Sequence, residues 1–150
     1  MSADETVDTV KTLMTALEAN DLDIAESLLA DNFVMDGWTP KVLNKKGFLQ
    51  LIRGLKEGFP GLIFNLHNIQ GEDNAVTGTW QIAGYQTDAF SIPVISLPEI
   101  PQRGRSVSLP TEDVEFTTKN NLITRLLVKD SPGGGIRGLV HQLGIDMTIV

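Results

Sequence analysis

The chain has 150 residues, the usual size of one domain, and a division into two cores would leave each half marginally stable. Hydrophobic residues make up 41% of the chain and charged residues 21%, which excludes intrinsic disorder. Because there is no cysteine, disulfides, thiolate metal sites and cysteine nucleophiles are excluded as well. The net charge of -7, without any basic run, argues against nucleic acid as a partner.

The sequence also argues against a membrane or secreted protein. No apolar stretch approaches the roughly 18 residues that a membrane-spanning helix needs. The acidic start of the chain has neither the basic nor the apolar region of a signal peptide. We therefore expect one cytoplasmic domain over residues 1–150, with no membrane contact.

Helices are predicted in the first sixty residues. Apolar residues recur at helical spacing over 7–17, until Asn20-Asp21 interrupts them. Asp21 or Asp23 can cap a second, short helix, and we expect its apolar side to carry Ile24, Leu28 and Leu29.

A third helix is predicted after Asn44, a residue suited to the N-cap, and Gly58 and Pro60 should end it. Between the second and third helices, residues 33–35 are too few for more than a strand fragment or a turn.

After Pro60 the apolar residues alternate, as they do in strands. Turn residues at 71–74 and Asn120-Asn121 separate these runs, and 138–143 is expected to form one helical turn. Because the helices come first and the antiparallel strands follow, the predicted fold class is α+β. The predicted strands cover residues 62–67, 76–85, 107–118 and 122–128.

One apolar segment, residues 88–104, contains three prolines and is called here the Pro-rich segment. Proline at that density removes donors from a strand ladder and excludes a central strand. An irregular segment that is nevertheless apolar usually covers either a pocket or a partner subunit.

Neither a dinucleotide-binding site nor a histidine metal site is supported by the sequence. The run from Gly133 to Gly138 satisfies G-x-G-x-x-G, but only twelve residues follow it, too few for a dinucleotide-binding unit. His67 and His141 are not in any metal-ligand spacing, so no metal site is predicted.

The large amphipathic rings allow two interpretations. Trp38, Trp80 and Tyr85 either pack in the core or line a cavity that holds a flat or apolar ligand. Trp80 and Tyr85 are an odd number of residues apart, so a regular strand would place them on opposite faces.

Carboxylates in or near the strands are candidates for acid/base chemistry. A carboxylate on the inner face of a sheet loses solvent, which raises its pKa towards the range of a general acid or base. Asp113 and Glu115 alternate with apolar residues that should face inward, unless a bulge at Pro110 reverses the two faces. Asp130, and Asp36 if it ends a strand, complete the set.

Six short motifs occur along the chain in a fixed order: L-D-I-A-E-S-L-L-A-D-N-F-V at 22–34, F-P-G-L at 59–62, the strand around Trp80, I-P-x-x-G-R at 100–105, N-L-I at 121–123 and G-L-V-H-Q-L-G at 138–144. In that order they resemble the motifs of the SnoaL-like polyketide cyclases of the nuclear transport factor 2-like superfamily. The resemblance implies N-terminal helices packed in a strongly curved, mostly antiparallel sheet that forms a cone with a deep pocket, typically in dimers.

The resemblance also implies a chemistry. These cyclases close a polyketide methyl ester by an intramolecular aldol reaction without metal or organic cofactor, using an acid/base Asp near the end of the last strand and strand histidines. Here Gln86 stands at the first histidine, and the second falls on Asp113 or Val114. The catalytic Asp falls on Val128, and Asp130 lies two residues further along with the same strand parity.

We therefore predict acid/base chemistry on a small apolar carbonyl compound, with no metal or cofactor, in a homodimer. Asp113 or Asp130 would be the acid/base. The pocket would be shaped by Trp38, His67, Trp80 and Gln86. Because other residues occupy the two histidine positions of the cyclases, two alternatives stay open. One is a binding protein without catalysis, and the other is an assembly module whose Pro-rich segment packs on a sister subunit.

Overall fold

Two helices joined by a tight turn open the chain in the computed structural model, which describes residues 2–129 and 131–145. Helix α1 (Ala3–Glu18) begins at Ser2, and α2 (Leu22–Leu28) begins at Asp21, whose side chain accepts a hydrogen bond from the backbone N–H of Ile24. The predicted cap at Asp21 is confirmed.

The expected apolar side of α2 is confirmed only in part. Leu28 packs against the core and Leu29, already in the first strand, is buried, but Ile24 is 45% exposed and the helix buries Ala25 instead. With only two turns, α2 connects α1 to the sheet and has little surface of its own to bury.

Helix α3 (Lys45–Gly58) begins where Asn44 predicts. The Asn44 side chain accepts a hydrogen bond from the backbone N–H of Gly47 at 2.8 Å, which satisfies one of the free donors of the first turn. A short last helix, α4 (Gly135–Gln142), replaces the single turn expected over 138–143 and begins three residues earlier.

Within the described residues, ten strands form one large sheet and two small ones. The large sheet has the order β2-β1-β10-β9-β4-β3, and all its neighbours are antiparallel except β1 and β10, which are parallel. The small sheets pair β5 with β8 and β6 with β7. The strands are β1 (Leu29–Asp36), β2 (Leu43–Asn44), β3 (His67–Gly71), β4 (Ala75–Trp80), β5 (Ala83–Tyr85), β6 (Phe90–Ile92), β7 (Leu97–Ile100), β8 (Ser106–Ser108), β9 (Glu112–Lys119) and β10 (Leu122–Val128).

The strand predictions succeed unevenly. The run 122–128 and its turn are confirmed, and both Asn120 and Asn121 have the positive φ angles that a tight hairpin turn requires. Strand β1 is much longer than the predicted fragment. The expected strand over 62–67 is replaced by a single bridge between Ile63 and Ala83, with β3 starting only at His67.

Two predicted strands each divide into two. The 76–85 run becomes β4, which pairs with β9, and β5, which pairs with β8. The 107–118 run divides between β8 and β9 at Pro110, which has no N–H to donate to a ladder. The curved large sheet therefore continues into a smaller one at its end.

The hydrophobic core lies between the helices and the inner face of the large sheet. The rings of Phe33 in β1 and Phe48 in α3 lie 5.1 Å apart. Val76, Phe116 and Leu126 contribute fully buried side chains from three adjacent strands. This packing confirms the α+β class and the curved sheet wrapped on helices.

The Pro-rich segment is ordered and packs on its own chain. It forms the β6–β7 hairpin with a 3-10 turn (Pro93–Ile95) at the tip, rather than an irregular loop. The ring of Phe90 lies 5.5 Å from that of Phe59, and Gly58 allows this approach because a Cβ there would lie 2.5 Å from the Phe90 ring. The segment therefore covers α3. Its apolar residues Phe90, Ile92, Ile95, Leu97 and Ile100 are all buried.

A buried lysine joins the two long helices to the start of the sheet. Lys56 in α3 is 5% exposed, and its ammonium donates to the carbonyl oxygens of Glu18 at 2.8 Å, Pro60 at 2.6 Å and Leu62 at 3.4 Å. Burial lowers the pKa of Lys56, while the neighbouring Glu18 carboxylate acts in the opposite direction.

Replacing this lysine should destabilise the fold. Lys56→Met keeps the apolar stem but removes the donor to three carbonyls, and we expect a loss of about 1–3 kcal/mol in the free energy of unfolding, measured by urea denaturation. Lys46→Met, on the exposed side of the same helix, is the matched control and should change stability by less than about 0.5 kcal/mol.

The lowered pKa adds a pH signature to this comparison. At pH values just below 10.5, the ordinary pKa of lysine, the unfolded chain binds more protons at Lys56 than the folded chain does, because the pKa of Lys56 is lowered in the folded chain. Stability of the native protein relative to Lys56→Met should therefore rise as the pH rises through that window. A flat or falling difference would contradict the assignment of Lys56 as a desolvated cation.

Candidate functional site

One carboxylate points into the core from the start of β9. Glu112 is 2% exposed and shares the inner face of the strand with Val114 and Phe116. In the sheet register it lies directly opposite Trp80 of β4, which is also 2% exposed. The ring of Trp80 packs 5.3 Å from that of Phe64, so an apolar wall lies beside the carboxylate.

Three N–H groups converge on this carboxylate. The indole Nε1 atoms of Trp38 and Trp80 each donate to Oε1 of Glu112 at 3.2 Å. The backbone N–H of Gly135 donates to Oε2, also at 3.2 Å. Hydrogen bonds of this kind stabilise the ionised carboxylate, whereas burial opposes ionisation. We call Glu112, Trp38, Trp80 and Gly135 the Glu112 cluster.

The glycine run after β10 allows the chain to approach this cluster closely. Gly134 is the N-cap residue of α4, and a Cβ there would lie 2.7 Å from Oε2 of Glu112. Gly135 has a φ of +69°, and its Cβ would lie 3.0 Å from the carbonyl oxygen of Trp38. The run thus places the positive end of the helix dipole at a carboxylate.

A cleft of about 470 Å³ lies next to the cluster and is called here the α4 cleft. Trp38, Gly134 and Gly135 belong both to its wall and to the immediate surroundings of Glu112. Glu112 itself is not part of the lining, and it is 2% exposed, so the carboxylate is closed off from the cleft. The full lining is Asp36, Gly37, Trp38, Thr39, Pro40, Gly134, Gly135, Ile136 and Arg137.

Two of the predicted pocket residues meet in this cluster, and two others do not. Trp38 and Trp80 lie in it, whereas Tyr85 is 50% exposed and belongs to β5, so the parity argument for a single strand does not apply to it. His67 pairs with Thr79 in the register, at the edge of the sheet. Its Nδ1 lies 2.8 Å from the carbonyl oxygen of its neighbour Asn65, so the ring is engaged locally, away from Glu112.

The structure places the predicted acid/base Asp113 on the outer face of the sheet. Its side chain is exposed and accepts a hydrogen bond from the hydroxyl of Thr79 at 3.2 Å. Because no bulge reverses β9, the apolar residues face inward and Asp113 faces solvent. Asp130, the other predicted acid/base, lies outside the described residues, so its role stays a prediction.

Gln86, predicted to shape the pocket, is fully buried and holds the ends of the Pro-rich segment together. Its amide nitrogen donates to the carbonyl oxygens of Asp88 and Pro101, and its amide oxygen accepts from the backbone N–H of Arg103. The Gln86 amide therefore supplies hydrogen bonds to backbone groups that would otherwise be paired within a strand ladder, where proline has no N–H to donate.

Removing the Gln86 amide should loosen the Pro-rich segment selectively. We expect Gln86→Leu to raise the rate of amide hydrogen exchange in β6 and β7 while β9 and β10 keep their protection, because three backbone groups lose their partner. Glu99→Gln, at an exposed position of the same segment, is the control and should leave exchange unchanged. Uniform loss of protection across the large sheet would contradict a local role.

Glu112 is the functional candidate that the sequence prediction missed. It lies two residues before Val114, so strand alternation alone places it on the inner face. The sequence prediction instead places the acid/base at Asp113, the next residue of β9, or at Asp130. The available signal was therefore a carboxylate in phase with buried apolar residues.

The buried carboxylate should contribute to stability through its donors. In Glu112→Gln the amide oxygen can still accept from the two indoles, but the amide NH2 then faces the N–H of Gly135. We expect a loss of about 1–3 kcal/mol in the free energy of unfolding by urea denaturation. Glu115→Gln, on the outer face of the same strand, is the control and should be close to neutral; equal losses in both variants would contradict this account.

Over residues 2–129 and 131–145, no group of three or more histidine, aspartate or glutamate side chains could hold a metal ion. In the same part of the chain, no helix has the length and apolarity to cross a membrane.

Comparison with solved structures identifies the class of this fold as nuclear transport factor 2-like. AclR, a candidate hydroxylase from Streptomyces galilaeus, superimposes with a TM-score of 0.73 at 16% identity, covering 95% of this chain and 98% of that one. A candidate SnoaL-like polyketide cyclase from Jannaschia sp. CCS1 gives a TM-score of 0.72 at 16% identity, covering 96% and 95%. An LEH-like epoxide hydrolase from M. tuberculosis gives 0.67 at 17% identity, covering 95% and 94%.

Within that class, residues 10–126 match the SnoaL-like domain family. The chain belongs to this family, and the resemblance found in its short motifs is confirmed. The curated proteins contain no significant sequence match. At identities of 16–17%, the solved structures establish the fold alone.

Proposed function

We propose that this SnoaL-like protein is a polyketide cyclase that performs acid/base chemistry on a small apolar carbonyl compound, without metal or organic cofactor, and that Glu112 is its general base. The observation that supports this role is a buried carboxylate beside both an apolar wall and a cleft. A base in such a place is shielded from water and can act on a weakly acidic C–H bond.

The proposed reaction begins with proton transfer from the carbon next to the substrate carbonyl to Oε1 of Glu112. The electron pair of the C–H bond moves into the enolate, and negative charge develops on the substrate oxygen. As Glu112 becomes neutral, the indole N–H of Trp80, now 3.2 Å from Oε1, is released to hold the enolate oxygen. In an isomerisation the proton then returns to carbon. In an aldol closure the enolate carbon forms a bond to a second carbonyl carbon of the substrate, the π electrons of that carbonyl move to its oxygen, and the proton passes from Glu112 to the resulting alkoxide.

The second candidate function is ligand binding without turnover. It is favoured by the three donors on Glu112, since a carboxylate already stabilised as an anion is a weaker base. The assembly alternative loses its main support, because the Pro-rich segment buries its apolar residues within its own chain. A homodimer stays a prediction, to be checked by light scattering.

Deuterium exchange into a model ketone distinguishes the two functions. We expect the native protein to accelerate exchange of the C1 hydrogens of 2-tetralone in D2O, followed by proton NMR, by on the order of 100-fold or more over buffer. In Glu112→Gln exchange should return to the buffer rate while binding of 2-tetralone persists. Near-ultraviolet circular dichroism verifies that the variant is folded.

Asp113→Asn and Glu115→Gln are the matched controls, because both residues lie on the outer side of β9. They should keep full exchange activity. Loss of exchange in Asp113→Asn alone would restore the original prediction that Asp113 is the base. Binding with no acceleration by the native protein would establish the non-catalytic alternative.

A further inference from the structure

The proposed base is closed off by a residue that belongs to the adjoining cleft. Glu112 is 2% exposed, and Trp38 is both a donor to its Oε1 and part of the wall of the α4 cleft. A ligand in the cleft therefore reaches the carboxylate only if the cleft wall opens, and Trp38 is the residue of that wall whose side chain bonds the carboxylate. The cleft, at about 470 Å³, lies within the usual size range of small-molecule sites.

The two tryptophans of the cluster are held differently. Trp80 is part of β4, which is paired on both sides by β3 and β9, and its ring also packs on Phe64. Trp38 lies in the connection between β1 and β2, outside any strand. Its carbonyl accepts a hydrogen bond from the N–H of Ile136 at 3.1 Å, which anchors the backbone at this position.

We propose that Trp38 is a displaceable plug, and that ligand binds by taking the place of its indole at Glu112. Departure of the ring removes one donor from Oε1, while Trp80 and Gly135 still donate to the carboxylate. The same movement opens the route from the cleft and frees a lone pair of the base. Substrate entry and activation of Glu112 are then one event.

The plug defines the class of ligand that fits. An indole is flat, has two fused rings and presents one polar hydrogen to the carboxylate. A replacement should therefore be a planar compound of one or two rings that directs an N–H, an O–H or an activated C–H bond at Oε1. This inference rests on the proposed role of Glu112 as the site, but it concerns binding and is tested without turnover.

Fluorine NMR of the native sequence tests the displacement directly. The chain has two tryptophans, so labelling with 5-fluorotryptophan gives two signals, which Trp38→Phe and Trp80→Phe assign. We expect 2-tetralone to shift the Trp38 signal strongly and the Trp80 signal little, because only Trp38 leaves its environment. Binding that leaves the Trp38 signal in place, or no binding, would overturn the proposal.

Truncation of the plug provides a second measurement. If the open form is populated at about 10% or less, Trp38→Ala should bind 2-tetralone about tenfold more tightly or better by calorimetry, since displacement is no longer required. Indole should also bind this variant and not the native protein. Equal affinities in both proteins would contradict the plug, and the fluorine experiment decides the matter if Trp38→Ala does not fold.

The two proposals fail separately. Displacement of Trp38 without deuterium exchange would retain the plug and remove the catalytic role of Glu112. Exchange that depends on Glu112 while the Trp38 signal stays unchanged would retain the base and remove the plug.

Discussion

A carboxyl group placed inside an apolar core is the constraint on which the arrangement of this protein depends. Burying a carboxylate is costly unless donors compensate for the lost water. Glu112 meets that requirement with two indoles and one backbone N–H, supplied by three other parts of the chain. Any change in the position of β4, the β1–β2 connection or α4 would leave the charge without one of its partners.

The topology brings these partners together from distant positions. Trp38 is 74 residues from Glu112 in sequence, Trp80 is 32 and Gly135 is 23. The parallel pairing of β1 with β10 places the start of the β1–β2 connection beside the end of β10. The antiparallel register of β4 with β9 places Trp80 opposite Glu112. The sheet therefore acts as the frame that positions the cluster.

Polar side chains stabilise the fold elsewhere by the same principle. Lys56 satisfies carbonyls where helix α1 ends, and Gln86 satisfies backbone groups on both sides of the Pro-rich segment. Gln142 of α4 bonds the N–H and the carbonyl of Ser108 through one amide, at 2.9 and 2.8 Å, as a neighbouring strand would. Each of these residues supplies hydrogen bonds at a point where regular structure stops.

Local chemistry explains what the sequence alone determined. The helices begin at Asp21 and Asn44 because those side chains cap backbone N–H groups, and the last hairpin turns at Asn120-Asn121 because asparagine tolerates positive φ. Alternation along β9 likewise separated an inner face from an outer one, and the ordered motifs led to the family.

Only the tertiary structure decided what surrounds the buried carboxylate. Alternation along β9 places Glu112 on the inner face, but nothing local shows that two tryptophans and a helix start will meet there, and the sequence prediction chose Asp113, which faces solvent. It also assigned Gln86 to a pocket, whereas its amide joins backbone segments that only the folded hairpin brings together. The physical reason is the same for Glu112 and Gln86. Capping and strand alternation act over a few residues, so they can be read from the sequence. A buried polar group instead needs hydrogen-bond partners that only folding brings within reach.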